Sequence, residues 1–251
     1  MIVTGIGSTG TKGIFISGTD TGVGKSIVAA AIALSLRNAG LRVAVLKPVT
    51  SGAVLLDGRL VSEDAELLRW ASECTAPDND IAPYLLREPL APSESAAREG
   101  VVIELSLVRE AFDRLSVSHD FVIVEGAGGL LVPLAKNLLV ADLVIKLSLP
   151  LIIVARPNLG TVNHTLMTCE CARSRGIEVL GVVINGQPAQ PDLAEDYAAR
   201  VISEYAAVPV LAVLPRCSEV NEKAIVESLA EYIEKQPLAA LLPLEESHGN
   251  P

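Results

Sequence analysis

Residues 18–26 read GTDTGVGKS, a glycine-rich stretch that ends in lysine and serine. The phosphate-binding loop of nucleotide hydrolases follows the pattern G-x-x-x-x-G-K-[ST], whereas five residues rather than four separate Gly18 from Gly24 here. The flanking segments favour a true loop. A short apolar run at 13–17 has the composition of a buried parallel strand, and the apolar segment 27–34 begins a long helix.

The order of strand, glycine-rich loop and helix suits a polyphosphate ligand. Successive backbone N–H groups and the helix N-terminus would face the phosphates, because both carry partial positive charge. Lys25 can reach the terminal phosphate oxygens, and the hydroxyl of Ser26 can bind a metal ion. A second glycine pattern, GIGSTG at 5–10, spells the dinucleotide fingerprint but precedes the first strand instead of following it. Residues 1–12 are therefore predicted to be a flexible leader.

Length and composition limit the class of protein. The chain has 251 residues, half of them apolar, which predicts one α/β domain over 13–236 and a C-terminal tail of little fixed structure at 237–251. A net charge of −10 and only 3% aromatic residues argue against a nucleic-acid surface. The four cysteines have no metal-ligand spacing, and no signal peptide or long apolar run is present. We therefore expect a reduced, cytoplasmic protein with no membrane partner.

Strand and helix patterns alternate along the chain, which predicts a single-domain, doubly wound, mostly parallel sheet with helices on both faces. The predicted strands are 14–18, 42–47, 120–125, 150–155, 178–184 and 209–213. The predicted helices are 25–39, 62–74, 104–117, 161–175, 192–206 and 221–235. Residues 76–100, rich in Pro and Ala, are predicted to pass over the surface.

Ligands of such sheets bind beyond the carboxyl ends of the strands, so the residues after each strand are candidates for the site. Lys47 follows the second strand; it is either a solvated lysine beside a turn or a second cation for transferring phosphate. Glu125 ends the third predicted strand, 120–125, before a glycine-rich turn, which favours a metal-side acid over a plain surface acid. Asp64 follows the predicted N-cap Ser62, and helix capping alone explains it unless the site lacks a metal ligand.

Two further strand ends remain open in function. The segment 155–164 leads into a helix whose free N–H groups can hold a second anion, while His164 lies inside that helix with no acid nearby and is interpreted as structural. Asn185 ends a strand before Gly186, so its amide either contacts a nucleotide base or belongs to an ordinary Asn-Gly turn.

Taken in order, six segments of the chain resemble dethiobiotin synthetases. They are GTDTGVGKS, KPVTSG, SEDA, VEGAGGL, LGTVNH and VING, between about residues 13 and 223. The loop of that family carries the extra residue, which accounts for the spacing between Gly18 and Gly24. The family often has Glu at the position of Gly22, and glycine has no side chain with which to contact the nucleotide. Ser26 replaces the family's threonine and is an equivalent magnesium ligand.

The resemblance implies a homodimeric enzyme with a P-loop NTPase fold that uses ATP and Mg²⁺. Its substrates would be 7,8-diaminopelargonate and CO₂ or bicarbonate, and its product dethiobiotin, with ADP and phosphate released. One amine takes up CO₂ as a carbamate, the carbamate oxygen attacks the γ-phosphate, and the second amine displaces phosphate to close the ureido ring.

The resemblance also implies roles for individual residues. The catalytic residues would be Lys47, Lys25, Thr21 and Ser51. The metal ligands would be Ser26, Asp64 and Glu125. The nucleotide would contact these three residues together with Gly22, Val23, Gly24, Lys25, Ile27, Gly126, Ala127, Gly128, Asn185, Gly186, Pro215, Arg216, Cys217 and Glu222. The substrate would contact Ser51, Gly160, Thr161, Asn163 and Tyr197, of which Asn163 and Tyr197 would serve the partner subunit's site.

Two rival families use related loops. Partitioning ATPases of the ParA and MinD type carry an additional lysine near the start of the loop, where this chain has Thr19, and they need a DNA or membrane surface that the acidic charge disfavours. Cobyrinate-type amidating enzymes share the acyl-phosphate chemistry but require a glutaminase domain, for which 251 residues leave no room.

Overall fold

The computed structural model describes residues 13–219, 221–236 and 238. The strands in chain order are β1 (Gly13–Gly18), β2 (Val43–Leu46), β3 (Val49–Ser51), β4 (Val54–Leu56), β5 (Arg59–Val61), β6 (Tyr84–Leu86), β7 (Phe121–Gly129), β8 (Pro133–Ala135), β9 (Leu138–Leu139), β10 (Leu151–Ala155), β11 (Val179–Gln187) and β12 (Val210–Pro215). The helices are α1 (Lys25–Asn38), α2 (Glu63–Ser72), α3 (Asp78–Ile81), α4 (Pro92–Glu99), α5 (Leu105–Ser118), α6 (Val140–Leu147), α7 (Thr161–Ser174), α8 (Leu193–Ala206) and α9 (Glu222–Ile233).

Six strands form one parallel sheet in the order β12-β11-β10-β1-β7-β2. The chain moves from β1 across to β2 and then returns through β7 and β10 toward β12. Because parallel crossovers are right-handed, this reversal places α1 on one face of the sheet and the helices that precede β7, β10, β11 and β12 directly, namely α5, α6, α7 and α8, on the other. The contacts agree: α1 packs with α2 and α9, α5 packs with α6, and α7 packs with α8. The predicted α/β fold with helices on both faces is confirmed.

The centre of the sheet is predominantly apolar, as expected for strands covered on both faces. Every residue of β1 and β10 is buried, and Phe15, Ile16 and Ile153 are fully excluded from solvent. All six predicted strands and all six predicted helices are present with ends shifted by only a few residues. The main difference in the sheet is length, because β7 continues to Gly129 and β11 to Gln187.

The predicted surface passage at 76–100 is wrong in its detail. This segment contains α3, β6 and α4, and β6 pairs in parallel with β3. Ile81 and Leu86 are almost fully buried, so the segment adds to the core as well as to the surface. The sequence did not indicate these elements, because only a few widely spaced apolar side chains of the segment are buried.

The predicted leader at 1–12 and the predicted tail at 237–251, apart from Leu238, lie outside the described residues. Leu238 itself is fully buried against the core. Across the described part of the chain, no helix is long and apolar enough to cross a membrane.

Candidate active site

The loop after β1 folds back closely over its own backbone. A side chain at Gly18 would meet the carbonyl oxygen of Asp20 at 2.7 Å and Val23 at 2.8 Å, so only glycine fits there. Gly22 and Gly24 have φ angles of 74° and 89°, in the left-handed region that glycine adopts without strain. The extra residue is accommodated by this turn, after which α1 begins at Lys25.

Lys25 lies along the loop rather than in solvent. It is buried, and its Nζ lies 3.4 Å from the carbonyl oxygen of Asp20. Burial lowers the pKa of Lys25, against the attraction of Glu125 and Asp64. A phosphate oxygen beside this ammonium group would stabilise its charged form, because an opposite charge at contact favours ionisation.

Three oxygen donors from three separate elements meet at the start of α1. The Oγ of Ser26 lies 2.8 Å from Asp64 Oδ1 and 2.9 Å from Glu125 Oε1. Asp64 comes from the first turn of α2, and Glu125 comes from β7, the strand next to β1. The structure therefore brings together the three residues predicted as metal ligands.

Lys47 contacts both carboxylates of this cluster. Its Nζ lies 2.6 Å from Glu125 Oε1 and 2.8 Å from Asp64 Oδ2, and the side chain is only 5% exposed. Burial lowers the pKa of Lys47, but the charges of both carboxylates and the hydrogen bonds to them outweigh it and hold the pKa above its ordinary value. Burial likewise raises the pKa of Asp64, but Lys47 and Ser26 reverse the effect and lower it. Lys47 is therefore a fixed cation and not a solvated lysine.

The chemistry of this cluster fits Mg²⁺ bound together with phosphates. Its donors are all oxygens, and Mg²⁺ is commonly held by one or two carboxylates plus substrate phosphates. The Ser26 hydroxyl has one proton for two carboxylate neighbours, and Glu125 Oε2 is buried without a hydrogen-bond partner in the described structure. Two lysines and two carboxylates balance in charge, so added phosphate charge calls for a further cation.

Helix α2 is held against β3 by a hydrogen bond that the sequence did not reveal. The Oγ of Ser62 accepts the N–H of Ala65 at 3.1 Å, which confirms Ser62 as the N-cap. It also accepts a hydrogen bond from Thr50 Oγ1 at 2.8 Å, and both side chains are buried. The end of α2 that carries Asp64 is thereby tied to the segment that follows Lys47.

These residues surround a cleft of about 760 Å³ at the carboxyl end of the sheet. The predicted site residues that line it are Thr21, Gly22, Gly24, Lys25, Ser26, Ile27, Lys47, Ser51, Asp64, Glu125, Ala127, Gly128 and Glu222. The hydroxyl oxygen of Ser51 is buried and has no hydrogen-bond partner in the described structure, so it can serve a ligand.

Other predicted nucleotide contacts lie outside the lining of this cleft. Val23 is buried in the core, and a side chain at Gly126 would collide with Phe15. Asn185 lies within β11 and donates from Nδ2 to the carbonyl oxygen of Val23 at 3.1 Å, so it braces the loop. It does not belong to a simple turn after the strand. The remaining predicted contacts outside the lining are Gly186, Pro215, Arg216 and Cys217.

The predicted substrate residues on α7 and α8 are also apart from the cleft of their own chain. Gly160 is the N-cap of α7, Thr161 is buried, and Asn163 and Tyr197 are exposed. His164 is half-buried, with Nδ1 3.3 Å from a guanidinium nitrogen of Arg156, in keeping with a structural role. Asn163 and Tyr197 thus do not line the cleft of their own chain.

Sequence reasoning missed one wall of the cleft. The missed lining residues are Val49, Thr50, Pro89, Leu90, Ala91, Pro92 and Val132. Residues 89–92 come from the segment predicted to be a surface passage. Their only sequence signal is two prolines around an apolar pair, which is common in ordinary loops. Nor did the sequence show that Arg156 reaches Asp20 of the phosphate loop, at 3.5 Å.

Known proteins resemble the chain both in sequence and in fold. A family model described as an AAA domain matches residues 12–224. A protein of Bacillus licheniformis named ATP-dependent dethiobiotin synthetase BioD is 39% identical over 223 residues, covering 89% of this chain and 94% of the relative. The protein of that name from Thermodesulfovibrio yellowstonii is 38% identical, covering 91% and 99%.

Solved structures of two other proteins share the fold at low identity. A ParA family ATPase from Chlorobium tepidum aligns with a TM-score of 0.51 and 19% identity, covering 92% of this chain and 98% of that one. The MinC:MinD complex of Aquifex aeolicus contains a chain with a TM-score of 0.56 and 15% identity, covering 92% and 93%. Likeness at this identity concerns the fold alone, whereas the sequence relatives match over nearly the whole chain. The chain belongs to the family of ATP-dependent dethiobiotin synthetases.

Proposed function

We propose that this chain closes the ureido ring of dethiobiotin from 7,8-diaminopelargonate, CO₂ and ATP. The observation that carries the proposal is the buried contact of Lys47 with Glu125 and Asp64 beside the phosphate loop. An ATPase that only switches between conformations does not require a second buried lysine beside the phosphate loop. A reaction that joins an anionic carbamate to a phosphoryl group needs one, because both partners are negatively charged.

The reaction balances in three steps. An amine of the substrate adds to CO₂ and loses a proton, which gives a carbamate. A carbamate oxygen attacks the γ-phosphorus and the bond to ADP breaks. The second amine then attacks the carbamate carbon, loses a proton and expels phosphate, which closes the ring.

Residues of this chain have distinct parts in these steps. Lys25 and the loop N–H groups would hold the phosphates, and Lys47 would neutralise charge shared between the carbamate and the moving phosphoryl group. The unpartnered hydroxyl of Ser51, with Thr21 across the cleft, would hydrogen-bond the reacting groups. Bound Mg²⁺, held by Ser26, Asp64 and Glu125, would neutralise charge on the phosphates. Glu222 at the rim would lie near the nucleotide.

The proposal includes a cytoplasmic homodimer in which each subunit contributes to the other's site. Asn163 and Tyr197 are exposed on α7 and α8 and are separate from the cleft of their own chain. The first turn of α7 carries N–H groups without intrahelical partners, and an Asn amide and a Tyr hydroxyl are neutral donors suited to a carboxylate. The substrate's carboxylate would therefore bind there, across the interface.

The test is a direct assay of the purified protein. It is incubated with ATP, Mg²⁺, labelled bicarbonate and diaminopelargonate, and acid-stable label and ADP are measured. The expected result is label in dethiobiotin and ADP release that depends on the diamine. ADP release without the diamine, and no acid-stable label with it, would refute the proposal.

A further inference from the structure

A second cleft, of about 560 Å³, lies at the opposite end of the sheet from the phosphate loop. Leu41, Arg42 and Val43 at the start of β2 line it, together with His119, which precedes β7. Cys74 also lines this cleft, just beyond the C-terminal end of α2. None of the residues lining it belongs to the proposed active site, so its chemistry is independent of the proposed function.

Cys74 and His119 form a contact pair across this cleft. The Sγ of Cys74 lies 3.7 Å from Nε2 of His119, within hydrogen-bonding range for sulfur. The thiol is buried and the imidazole is half-buried. The backbone N–H of Cys74 donates to Ser72 Oγ at 3.2 Å, which fixes the thiol relative to α2.

The hydrogen bonds on the far side of the ring determine which nitrogen carries the proton. Nδ1 of His119 lies 3.0 Å from the carbonyl oxygen of Leu115, which can only accept. Ser118 Oγ, 2.9 Å from Nδ1, can donate its own proton to the carbonyls of Arg114 and Leu115. Nδ1 is therefore assigned as the protonated nitrogen, and Nε2 is left to accept the proton of Cys74.

We propose that Cys74 and His119 are a thiol–imidazole pair that reacts with small disulfides in this cleft. Nε2 of His119 takes the thiol proton while the sulfur of Cys74 attacks one sulfur of the disulfide. The disulfide bond breaks, a mixed disulfide forms on Cys74, and the departing thiolate takes the proton from His119. One disulfide is exchanged for another, so no external oxidant is needed.

The charges around the cleft favour an uncharged partner. Arg37, Arg42 and Arg114 line it, but each is paired with a carboxylate, at 3.1 Å, 2.6 Å and 2.8 Å respectively. The arginines are thus balanced and give no strong attraction for anions. A small neutral disulfide such as 4,4′-dithiodipyridine is therefore the appropriate probe.

The other cysteines provide internal comparisons. Burial raises the pKa of Cys169 to about 11, and burial together with Glu219 raises the pKa of Cys217. Cys171 is half-buried on α7. None of these three has a histidine contact among the described hydrogen bonds. Because Cys171 and Cys217 are half-buried whereas Cys74 is buried, exposure alone would make Cys171 or Cys217 more accessible than Cys74.

The test measures release of pyridinethione at neutral pH in a Cys171→Ser/Cys217→Ser background. We expect one fast thiol, which Cys74→Ser removes and a thiol reductant restores after labelling. His119→Asn should slow this thiol by about tenfold or more, because the proton acceptor is lost. His164→Asn is the matched control and should leave the rate unchanged, and all thiols should react alike in denaturant.

The proposal fails if Cys74 reacts no faster than Cys169, or if His119→Asn leaves the rate within about twofold. Circular dichroism of each variant shows whether it is folded. Should a variant not fold, the unsubstituted chain is treated with less than one equivalent of reagent and the labelled peptide is identified. First labelling at Cys74 supports the proposal, and first labelling at Cys171 or Cys217 overturns it.

Discussion

The proposed phosphoryl transfer depends most on Lys47. Its ammonium group contacts Glu125 and Asp64, and the Lys47 side chain is almost fully buried. Such a fixed cation is already oriented before the reaction and needs no reorganisation as charge moves from the nucleotide to the carbamate. Its position follows from Pro48, which lacks an N–H and ends β2 so that Lys47 lies at the carboxyl edge of the sheet.

Lys47→Ala should lower turnover by roughly a hundredfold or more while changing ATP affinity far less, because its stabilisation would act mainly in the transition state. Steady-state kinetics and nucleotide titration measure the two effects. Lys146→Ala, on an exposed position of α6, is the matched control. A loss of ATP binding of tenfold or more with turnover intact would show that Lys47 serves ground-state binding instead.

Glu125→Gln retains the shape of the side chain but removes its charge from the predicted metal site. Nucleotide binding should lose its dependence on Mg²⁺ and turnover should collapse. Calorimetric titration of ATP at several Mg²⁺ concentrations measures the first effect. The exposed Glu204→Gln serves as control, and an unchanged Mg²⁺ dependence in Glu125→Gln would place the metal ligand elsewhere.

At the scale of elements, the N-terminus of α2 both begins a helix and carries Asp64, the proposed metal ligand. The sequence predicted the cap Ser62 but left the role of Asp64 open, since acids suit any first helical turn. In the structure Asp64 contacts Ser26 and Lys47, which lie far from it in sequence, and these contacts support the role of a ligand. Local patterns therefore predicted the helix and its cap, and only the folded sheet shows what Asp64 contacts.

Ser62→Ala should cost about 1 kcal/mol of stability, the usual effect of losing a side-chain cap. It should also weaken Mg²⁺-dependent nucleotide binding, because Thr50 loses its partner and Asp64 is held less firmly. Asp192→Ala removes the cap of α8 and is the matched control. Urea unfolding and nucleotide titration of both variants separate the effects. Equal losses of nucleotide binding in the two would contradict a positioning role for Ser62.

The pH dependence of stability should carry a contribution from Asp64. Its pKa in the folded protein lies below the ordinary value of 3.8, so its stabilising effect is complete above that value and is lost as pH falls through the lowered pKa. Asp64→Asn should therefore show a shallower decline of unfolding free energy from about pH 5 downward. Because Asp64 is 44% exposed, the difference should be modest. Parallel acid profiles for the two proteins would show that Asp64 is not stabilised by its partners.

At the scale of the whole molecule, the proposed dimer would bring Asn163 and Tyr197 of one subunit to the site of the other. Lys47→Ala protein is mixed with Asn163→Ala/Tyr197→Phe protein under conditions that let subunits exchange. In a shared-site dimer, half of the dimers are mixed and each has one intact site, so roughly a quarter of wild-type activity should return. Activity no higher than the mean of the two inactive parents would refute the shared site.

The sequence predicted the sheet well because its strands are continuous apolar runs between clear helices, as in 151–155. It placed Lys25, Lys47 and Glu125 at the ligand edge because each comes at or after the end of a predicted strand, and all three line one cleft in the structure. It did not predict the wall at 89–92 or the contact of Asn185 with the loop. Both depend on how distant segments pack, which no local period encodes.

In the proposed reaction, the γ-phosphoryl group passes to an oxygen that arrived as CO₂. The most direct measurement follows ¹⁸O from freshly supplied labelled CO₂ into inorganic phosphate, in a reaction with ATP, Mg²⁺ and the diamine quenched before the label exchanges with water. Mass spectrometry of the phosphate should find one labelled oxygen for each ring closed, because the carbamate oxygen remains on phosphorus when the second amine displaces it. Phosphate whose new oxygen comes only from water would mean that the chain hydrolyses ATP, and it would contradict the proposed reaction.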